Sequence, residues 1–352
     1  MPPRGPHVDL APLSSDVETA VGLAREAVEA SARQAVPPLD PGPRSAHLAG
    51  RIQAGTVDGR LYRVGRKAVG LVLWDDEGTS APGHHVHLFH LAGPFASEEE
   101  YGRFLDRLRS EIGPIVFLPA GLSGVTPEQE ARVVTARRFA AFSRSEMRLP
   151  PSAPLPDLPV PAGIRVRSMR ADDEPAAAAV HAAAFGAHFD FYLFQRSTDP
   201  RRNSELEVHD VMAGRWGEFL PWASFLAEAE DGRASGVCLF VRASYGPLLI
   251  SLAVDPRVHG RGVGRALTLA SLRVLRERGE AVIALNVTEG NRRAIALYEG
   301  LGFLRSVGPE ASWFSTELVP VAPDGSPSRP SPVPGPGRSG STDDGAPQSP
   351  RA

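Results

Sequence analysis

Three glycines, Gly260, Gly262 and Gly264, stand in a turn between an apolar run (residues 248–254) and a helical pattern that continues to Gly279. Arg257, Arg261 and Arg265 are interleaved with them. Glycines at a strand-to-helix turn let the backbone approach a ligand closely. The helix start adds several N–H groups and the positive end of the dipole. That chemistry suits an anion, above all a phosphate or pyrophosphate. Two common phosphate loops are excluded. A Walker loop needs Gly-Lys-Ser/Thr, but Gly264 is followed by Arg265 and Ala266. A GxGxxG ladder counted from Gly262 would need glycine where Leu267 stands. Alone, the run is as compatible with a tight turn as with an anion cradle. A second apolar strand (residues 281–287) is followed by Asn291, Ala294, Tyr298, Gly302 and Phe303. Asn291 and Tyr298 are two helical turns apart and share a face.

Together these residues resemble the acyl-CoA-binding core of the GNAT superfamily of N-acyltransferases. The match rests on Val254-x-Pro256, on Gly260-Arg261-Gly262-Val263-Gly264, and on Asn291-x-x-Ala294-x-x-x-Tyr298 ending in Gly302-Phe303. It is close over residues 248–303 and looser over residues 163–320. The resemblance implies that the loop, with Arg265, holds the pyrophosphate of acetyl-CoA. It implies a strand that splays after Val254, so that Leu252, Ala253 and Val254 present backbone groups to the thioester. Asn291 would hydrogen-bond the cofactor arm or cap its helix, and Asn286 is a weaker cofactor candidate. Tyr298 would protonate the departing thiolate, a step open to a phenol over a short distance. Where the family usually has Gln or Arg, three residues before the middle glycine, this chain has His259. An imidazole there can still donate a hydrogen bond and makes CoA affinity mildly pH-dependent. No base is assigned. The strand carries Ser251 and no carboxylate. Glu228 and Glu230 on a neighbouring strand either work through water or are surface charges. An amine arriving deprotonated needs no base.

Such a site needs two strands and two helices held in register, and the chain supplies that frame twice. Residues 69–74 parallel 235–241, residues 88–94 parallel 249–256, and Phe139 parallels Phe303. The period is about 160 residues, too long for a solenoid and suited to duplicated domains. The expected fold is α/β: two tandem GNAT-like domains, each a mixed, mostly antiparallel sheet flanked by helices. Residues 1–149 form a degenerate copy, 150–162 a proline-rich linker, 163–320 the catalytic copy and 321–352 a disordered tail. The first copy has Glu98, Glu99 and Glu100 in place of a glycine ladder. Pro127 and Val134 match Asn291 and Tyr298. Acyl-CoA binding is therefore expected in residues 163–320 alone, one CoA per chain, with the first copy supporting or roofing the second. Aromatics at Phe185, Phe189, Phe191, Tyr192 and Phe194 either wall the acceptor pocket or pack between helices. Asp231-Gly232 marks a hairpin between residues 223–230 and 233–241. A helix is expected from Ser15-Asp16, its stripe formed by Val17, Val21, Ala24 and Val28.

Acids (41) and bases (38) nearly balance over 352 residues, so the net charge of −3 gives no pull toward nucleic acid or membrane. One cysteine, Cys238, excludes an internal disulfide and sits in an apolar strand pattern as an inert residue. No apolar run is long enough to span a bilayer and no signal-peptide core opens the chain, so a cytoplasmic location is expected. His84, His85, His87 and His90 cluster, and His85 and His87 would share a strand face, but no third ligand is placed beside that pair, so no metal is expected. The reading is an N-acetyltransferase that moves acetyl from acetyl-CoA to a primary amine of a small molecule or peptide N-terminus, by direct attack in a ternary complex. The alternative is a non-catalytic acyl-CoA sensor, which would have no use for the proton donor at Tyr298.

Overall fold

The computed structural model describes residues 8–34, 42–75, 83–91, 97–120, 125–186, 188–193, 197, 199–243, 245–306 and 310–319. The expected tail, most of the first-copy loop at 92–97, Phe194 and the side chains of His85 and His87 lie outside them. In the first half β1 (Val8–Pro12), α1 (Val17–Gln34) and α2 (Gly42–Ala54) lead into the hairpin β2 (Asp58–Val64) and β3 (Lys67–Asp75). β4 (His84–Leu91), α3 (Glu98–Ile112), β5 (Ile115–Pro119), α4 (Pro127–Thr135) and β6 (Phe139–Leu149) follow. The second half opens with β7 (Ile164–Ser168), α5 (Glu174–Phe185), α6 (Asp190–Leu193) and α7 (Pro200–Met212). β8 (Glu218–Phe219), β9 (Phe225–Ala229), β10 (Ala234–Ala243) and β11 (Gly246–Val254) form its antiparallel strands. α8 (Val263–Glu277), β12 (Ile283–Thr288), α9 (Arg292–Glu299), β13 (Leu304–Arg305) and β14 (Glu310–Ser315) complete it.

Local chemistry sets most of the starts. Ser97 caps α3 by accepting the Glu100 amide, and Thr126 and Gln129 close a capping box over α4. α1 begins one residue later than its sequence pattern predicts, because the Asp16 carboxylate, not Ser15, accepts the Thr19 amide at 3.1 Å. The α4 cap also corrects the expected match between copies by one position: Thr126, not Pro127, stands where Asn291 caps α9.

Among the described residues all fourteen strands join one mixed sheet, in the order β1-β2-β3-β4-β5-β14-β6-β12-β11-β10-β9-β7, with β13 on β6 and β8 on β10. Read inward from its two ends, this order forms matching runs. Each run holds one parallel pair, β4 with β5 and β11 with β12. Each pair is then flanked by an antiparallel strand from the other half: β14 beside β5, and β6 beside β12. β6 and β14 pair with one another at the centre, from Phe139 opposite Ser315 to Arg144 opposite Glu310. The chain thus exchanges the last strand of each half, which the linear boundary after residue 149 does not reveal.

Helices cover both faces of the second run. α5 and α7 bury Ala177, Val180, Val208 and Val211 against Val237, Leu239 and Leu248. On the other face α8 and α9 bury Leu267, Leu272 and Ile295 against Cys238, Phe240, Leu249 and Leu285, joined by Met147 and Leu149 of β6. Each such side chain contributes about 1.5–3 kcal/mol by leaving water. In the first run α1 and α2 lay Ala20, Leu23, Val28 and Ile52 on Leu61, Leu71 and Leu73. The linker is not loose over its described length. Arg276 of α8 donates to the carbonyls of Pro150 and Pro151, Arg273 to Asp157 and Arg261 to Ala162.

Candidate active site

β11 and β12 are hydrogen-bonded only at Leu248 opposite Ala284 and Leu249 opposite Leu285. The cause is a bulge in the partner ladder. Leu239 of β10 faces Ser251 and Phe240 faces Leu249, which leaves Ile250 without an opposite residue. An extra residue bends its strand away from a neighbour. β12 meanwhile continues on β6, with Asn286 opposite Glu146 and Thr288 opposite Arg144. A wedge therefore opens between Ile250, Ser251 and Leu252 on one side and Asn286 and Val287 on the other. The pairing with β12 ends before Ile250, whereas the family resemblance implied a splay after Val254. The cleft that these strands share with α5, α6, α7, β6 and α9 has a volume of about 740 Å³ when the open solvent at its mouth is included.

The glycine turn follows the end of β11, where a Cβ on Gly264 would lie 3.7 Å from Leu252 Cδ2, and Leu252 lines the wedge. Gly260 and Gly262 have φ of 80° and 86°, a region that side-chain-bearing residues avoid. Gly262 is the cap of α8, and Ala266 is the first residue beyond the turn to find a helical acceptor, at Gly262 O. The amides of Val263, Gly264 and Arg265 thus face out of the helix start, as at any helix N-terminus. Gly264 is a packing position: a Cβ there would lie 3.3 Å from Val254 Cγ2 and 3.4 Å from Leu297. Val263 is buried in the core, so its side chain anchors the loop while its amide faces outward.

The charges around the turn are partly committed. Arg257 grips the Asp255 carboxylate, which holds that carboxyl below its usual range. Arg261 donates to Ala162 O at 2.9 Å. The His259 ring lies between two partners, with Nε2 2.9 Å from Val254 O and Nδ1 2.8 Å from Arg293 Nη1. Both contacts are satisfied when Nε2 carries the proton, so the ring braces the end of β11.

The wedge wall carries Tyr298 and Asn291 of α9 together. Asn291 Oδ1 accepts the Ala294 amide at 3.1 Å, so the residue is an N-cap that also faces the cleft. Tyr298 is buried, its ring against Phe303. Burial first, then Cys238 and the Asp190 carboxylate, push its phenol well above the ordinary tyrosine range. It therefore stays protonated at neutral pH. Asn286 reaches the cleft edge from β12 and Leu252 lines it from β11, while Ala253 is buried toward α5. Burial pushes the Cys238 thiol up to about 12, so it stays protonated and unreactive.

The aromatic segment divides its work. Phe185 and Phe191 line the cleft. Phe189 and Tyr192 pack instead with Phe117, Phe314 and Val116, across β5 and β14. Phe189 stacks edge-on against Phe142 and Phe314, with centroids 5.5 and 5.4 Å apart. The suggested bases Glu228 and Glu230 are not among the cleft residues. Glu228 is held by Arg165 and Arg167, which lower its pKa. Sequence reasoning missed His181, Glu207 and Asn203, from α5 and α7, and Arg144 and Asp190, all of which reach the cleft. The one signal for His181 was a lone polar residue inside an alanine-rich helix, EPAAAAVHAAAF.

Residues 190–303, from α6 to the residue before β13, match the model of the Acetyltransferase (GNAT) family. A mycothiol acetyltransferase of Salinispora arenicola is 36% identical over 222 residues, 60% of this chain and 67% of the relative. The chain belongs to the GNAT family. A mycothiol acetyltransferase of Thermobispora bispora is 36% identical over 167 residues, 45% of this chain. The chain spans 52% of that relative, about half its length. Among solved structures, a tandem GNAT protein from the clavulanic acid biosynthesis pathway covers 87% of this chain and 98% of its own, with 17% identity and a TM-score of 0.55. A GCN5-related N-acetyltransferase from Sphaerobacter thermophilus covers 87% and 94%, with 18% identity and a TM-score of 0.56. These two share the fold, and the first is itself described as a tandem GNAT protein.

Among the described residues no group of three or more His, Cys, Asp or Glu could hold a metal ion, and no helix is long and apolar enough to cross a membrane.

Proposed function

We propose that the chain transfers an acetyl group from acetyl-CoA to a primary amine of a small molecule or a peptide N-terminus. The observation that carries this reading is the wedge between β11 and β12. A protonated Tyr298 stands on its wall, and the strand that forms one side leads through the glycine turn into the free amides at the start of α8. A thioester carbonyl lying in the wedge would meet backbone N–H groups that the bulge at Ile250 has freed from the ladder. One such donor lowers an acyl-transfer barrier by about 3 kcal/mol. The amides of Gly262, Val263, Gly264 and Arg265 would take the pyrophosphate, with Gly260 shaping the turn and Arg261 and Arg265 at its rim. Leu252, Ala253 and Val254 would run beside the pantetheine arm, with Asn286 and Asn291 across from them. His259, as a brace for Val254, would hold the strand end rather than touch phosphate.

The amine attacks the carbonyl carbon, the C–S bond breaks, and Tyr298 gives its proton to the leaving sulfur. Its raised pKa keeps the proton available. The proton lost by the new amide nitrogen restores the phenol. The relatives named mycothiol acetyltransferase support a small-molecule acceptor, and the balanced charge of the chain supports no nucleic-acid or membrane partner. A cytoplasmic site of action accords with its single cysteine. A mass-spectrometric screen of amine pools with acetyl-CoA, following release of free CoA, tests the proposal. Binding of acetyl-CoA without turnover of any amine would count against a transferase.

A further inference from the structure

Around the wedge, buried hydroxyls are matched. Ser224 donates to Leu220 O, Ser235 to Ala227 O, Thr268 to Gly264 O and Ser271 to Leu267 O, and Thr288 donates to the Asp190 carboxylate. Ser251 of β11 departs from this pattern. It is buried to 7% exposure and its Oγ has no hydrogen-bond partner. Ser251 also lines the cleft, between Ile250 and Leu252. Native chains match their buried polar groups, so an unmatched hydroxyl in a cleft wall points to a partner supplied by a ligand. A serine hydroxyl turns about one bond and can meet that partner by a change of staggered position.

The bulge decides which ligand the hydroxyl meets. Residues opposite each other in a ladder share a face, and Ser251 stands opposite Leu239, which packs under α5 and α7. Ile250 packs against the same cluster as Leu239. Leu249 and Leu252, on either side of this pair, pack instead with α8 and α9. The bulge thus turns two successive side chains, Ile250 and Ser251, toward α5 and α7. In the transfer proposed above the acyl donor is held by α8 and α9, from the opposite face. Ser251 faces the side left to the acceptor.

We propose that Ser251 selects the acceptor, by donating its hydroxyl proton to an oxygen carried on the carbon next to the amine-bearing carbon. The proposal rests on the transferase reading above and narrows its acceptor class to amines with an N–C–C–O unit. Amino alcohols, amino sugars and peptide N-termini have that unit. Plain alkylamines and lysine side chains lack it.

The attack itself accounts for the other nearby acceptors of a proton. The thioester oxygen would be met by the strand amides that the bulge frees, and the amine lone pair is committed to the carbonyl carbon. Since Ser251 follows the bulge directly, the atoms within its reach are those a bond or two from the attacking nitrogen. An oxygen there takes the serine proton. A methyl or methylene in its place leaves the hydroxyl buried and unmatched. Sites built to hydrogen-bond a substrate group reject analogues that lack it for this reason.

The test uses the full chain with acetyl-CoA and matched pairs of amines, ethanolamine with propylamine and glucosamine with cyclohexylamine. Thiol release gives kcat/KM for each, and calorimetry gives acetyl-CoA affinity. Comparing the ratio within a pair between wild type and variant cancels differences in amine basicity. The wild type is expected to favour the oxygen-bearing member of each pair. In Ser251→Ala that preference should fall by about 10-fold, with acetyl-CoA affinity unchanged. The melting temperature should hold, because no hydrogen bond of the folded chain is lost. Ser251→Cys, with a weaker donor, should keep only part of the preference. Preferences in both variants equal to the wild type's overturn the proposal alone. So does an equal loss on both members of a pair, which would put the hydroxyl on the cofactor or on the amine itself. A marked fall in melting temperature would show a structural partner and overturn it too. A wild-type chain that binds acetyl-CoA but turns over none of these amines, or favours the alkylamines, does the same. A wild-type chain that binds no acetyl-CoA overturns the transferase reading, and this one with it.

Discussion

Tyr298 makes the sharpest case at the scale of single residues. Tyr298→Phe keeps the ring against Phe303 and removes only the donor. Acetyl-CoA affinity should hold while kcat falls by about 10²-fold, since only a transition-state interaction is lost. Stopped-flow or steady-state thiol release checks this, and undiminished turnover would show that water protonates the sulfur. At Gly262 two substitutions separate strain from charge. Gly262→Ala costs about 1 kcal/mol because φ is 86°. Gly262→Glu adds a carboxylate beside the proposed pyrophosphate, so calorimetry should show it binding acetyl-CoA far more weakly than the alanine variant. His181 carries a pH signature of its own. Its folded pKa, about 4, lies below the unfolded value of about 6.5, so below pH 6.5 the unfolded chain binds the proton that the folded chain refuses. Stability therefore falls between about pH 6.5 and 4, by roughly 3 kcal/mol from this group. In His181→Asn the melting temperature should depend less on pH across that window.

At the scale of elements, what the sequence disclosed and what it hid follow from locality. The glycine turn, the caps at Ser97, Thr126 and Asn291, and the hairpin at Asp231-Gly232 involve residues within a few positions of each other, so their side-chain chemistry is readable directly. β6 and β14 were readable as strands but not as neighbours. Alternation fixes which face of a strand is buried and says nothing about which edge receives it. The bulge at Ile250 was hidden for the same reason, because it exists only relative to β10. His181 and Glu207 come from separate helices, and only the packing of α5 on α7 brings them together. Phe189 tests the element-scale claim that the start of α6 is held by β5 of the first half together with β14. Phe189→Ala should cost about 3–5 kcal/mol if the site does not collapse. Because Asp190 and Phe191 follow on the same turn, the variant should also raise the acceptor KM, measurable beside a denaturation curve.

For the molecule as a whole, strand exchange makes the halves interdependent. Residues 163–320 alone would leave β12 with an open edge and remove Met147 and Leu149 from the core beneath α8. That fragment should unfold well below the full chain, by circular dichroism, although it carries every glycine of the turn. The expectation that acyl-CoA binding lies wholly in residues 163–320 thus meets a frame that extends to residue 139. Co-expression of residues 1–162 should rescue the fragment, since β6 would be supplied in trans.

The exchange also gives folding a timetable. As the chain leaves the ribosome, β5 emerges long before β14, its partner. At ordinary synthesis rates it waits on the order of ten seconds or more. Throughout that interval one edge of β5 has no strand to pair with, and a free edge is a template for other chains. Stalled nascent chains ending near residue 250 should therefore be digested readily by protease in their first half, whereas chains extended past residue 319 should resist. A chaperone that shields strand edges would have most to do on this protein before translation ends.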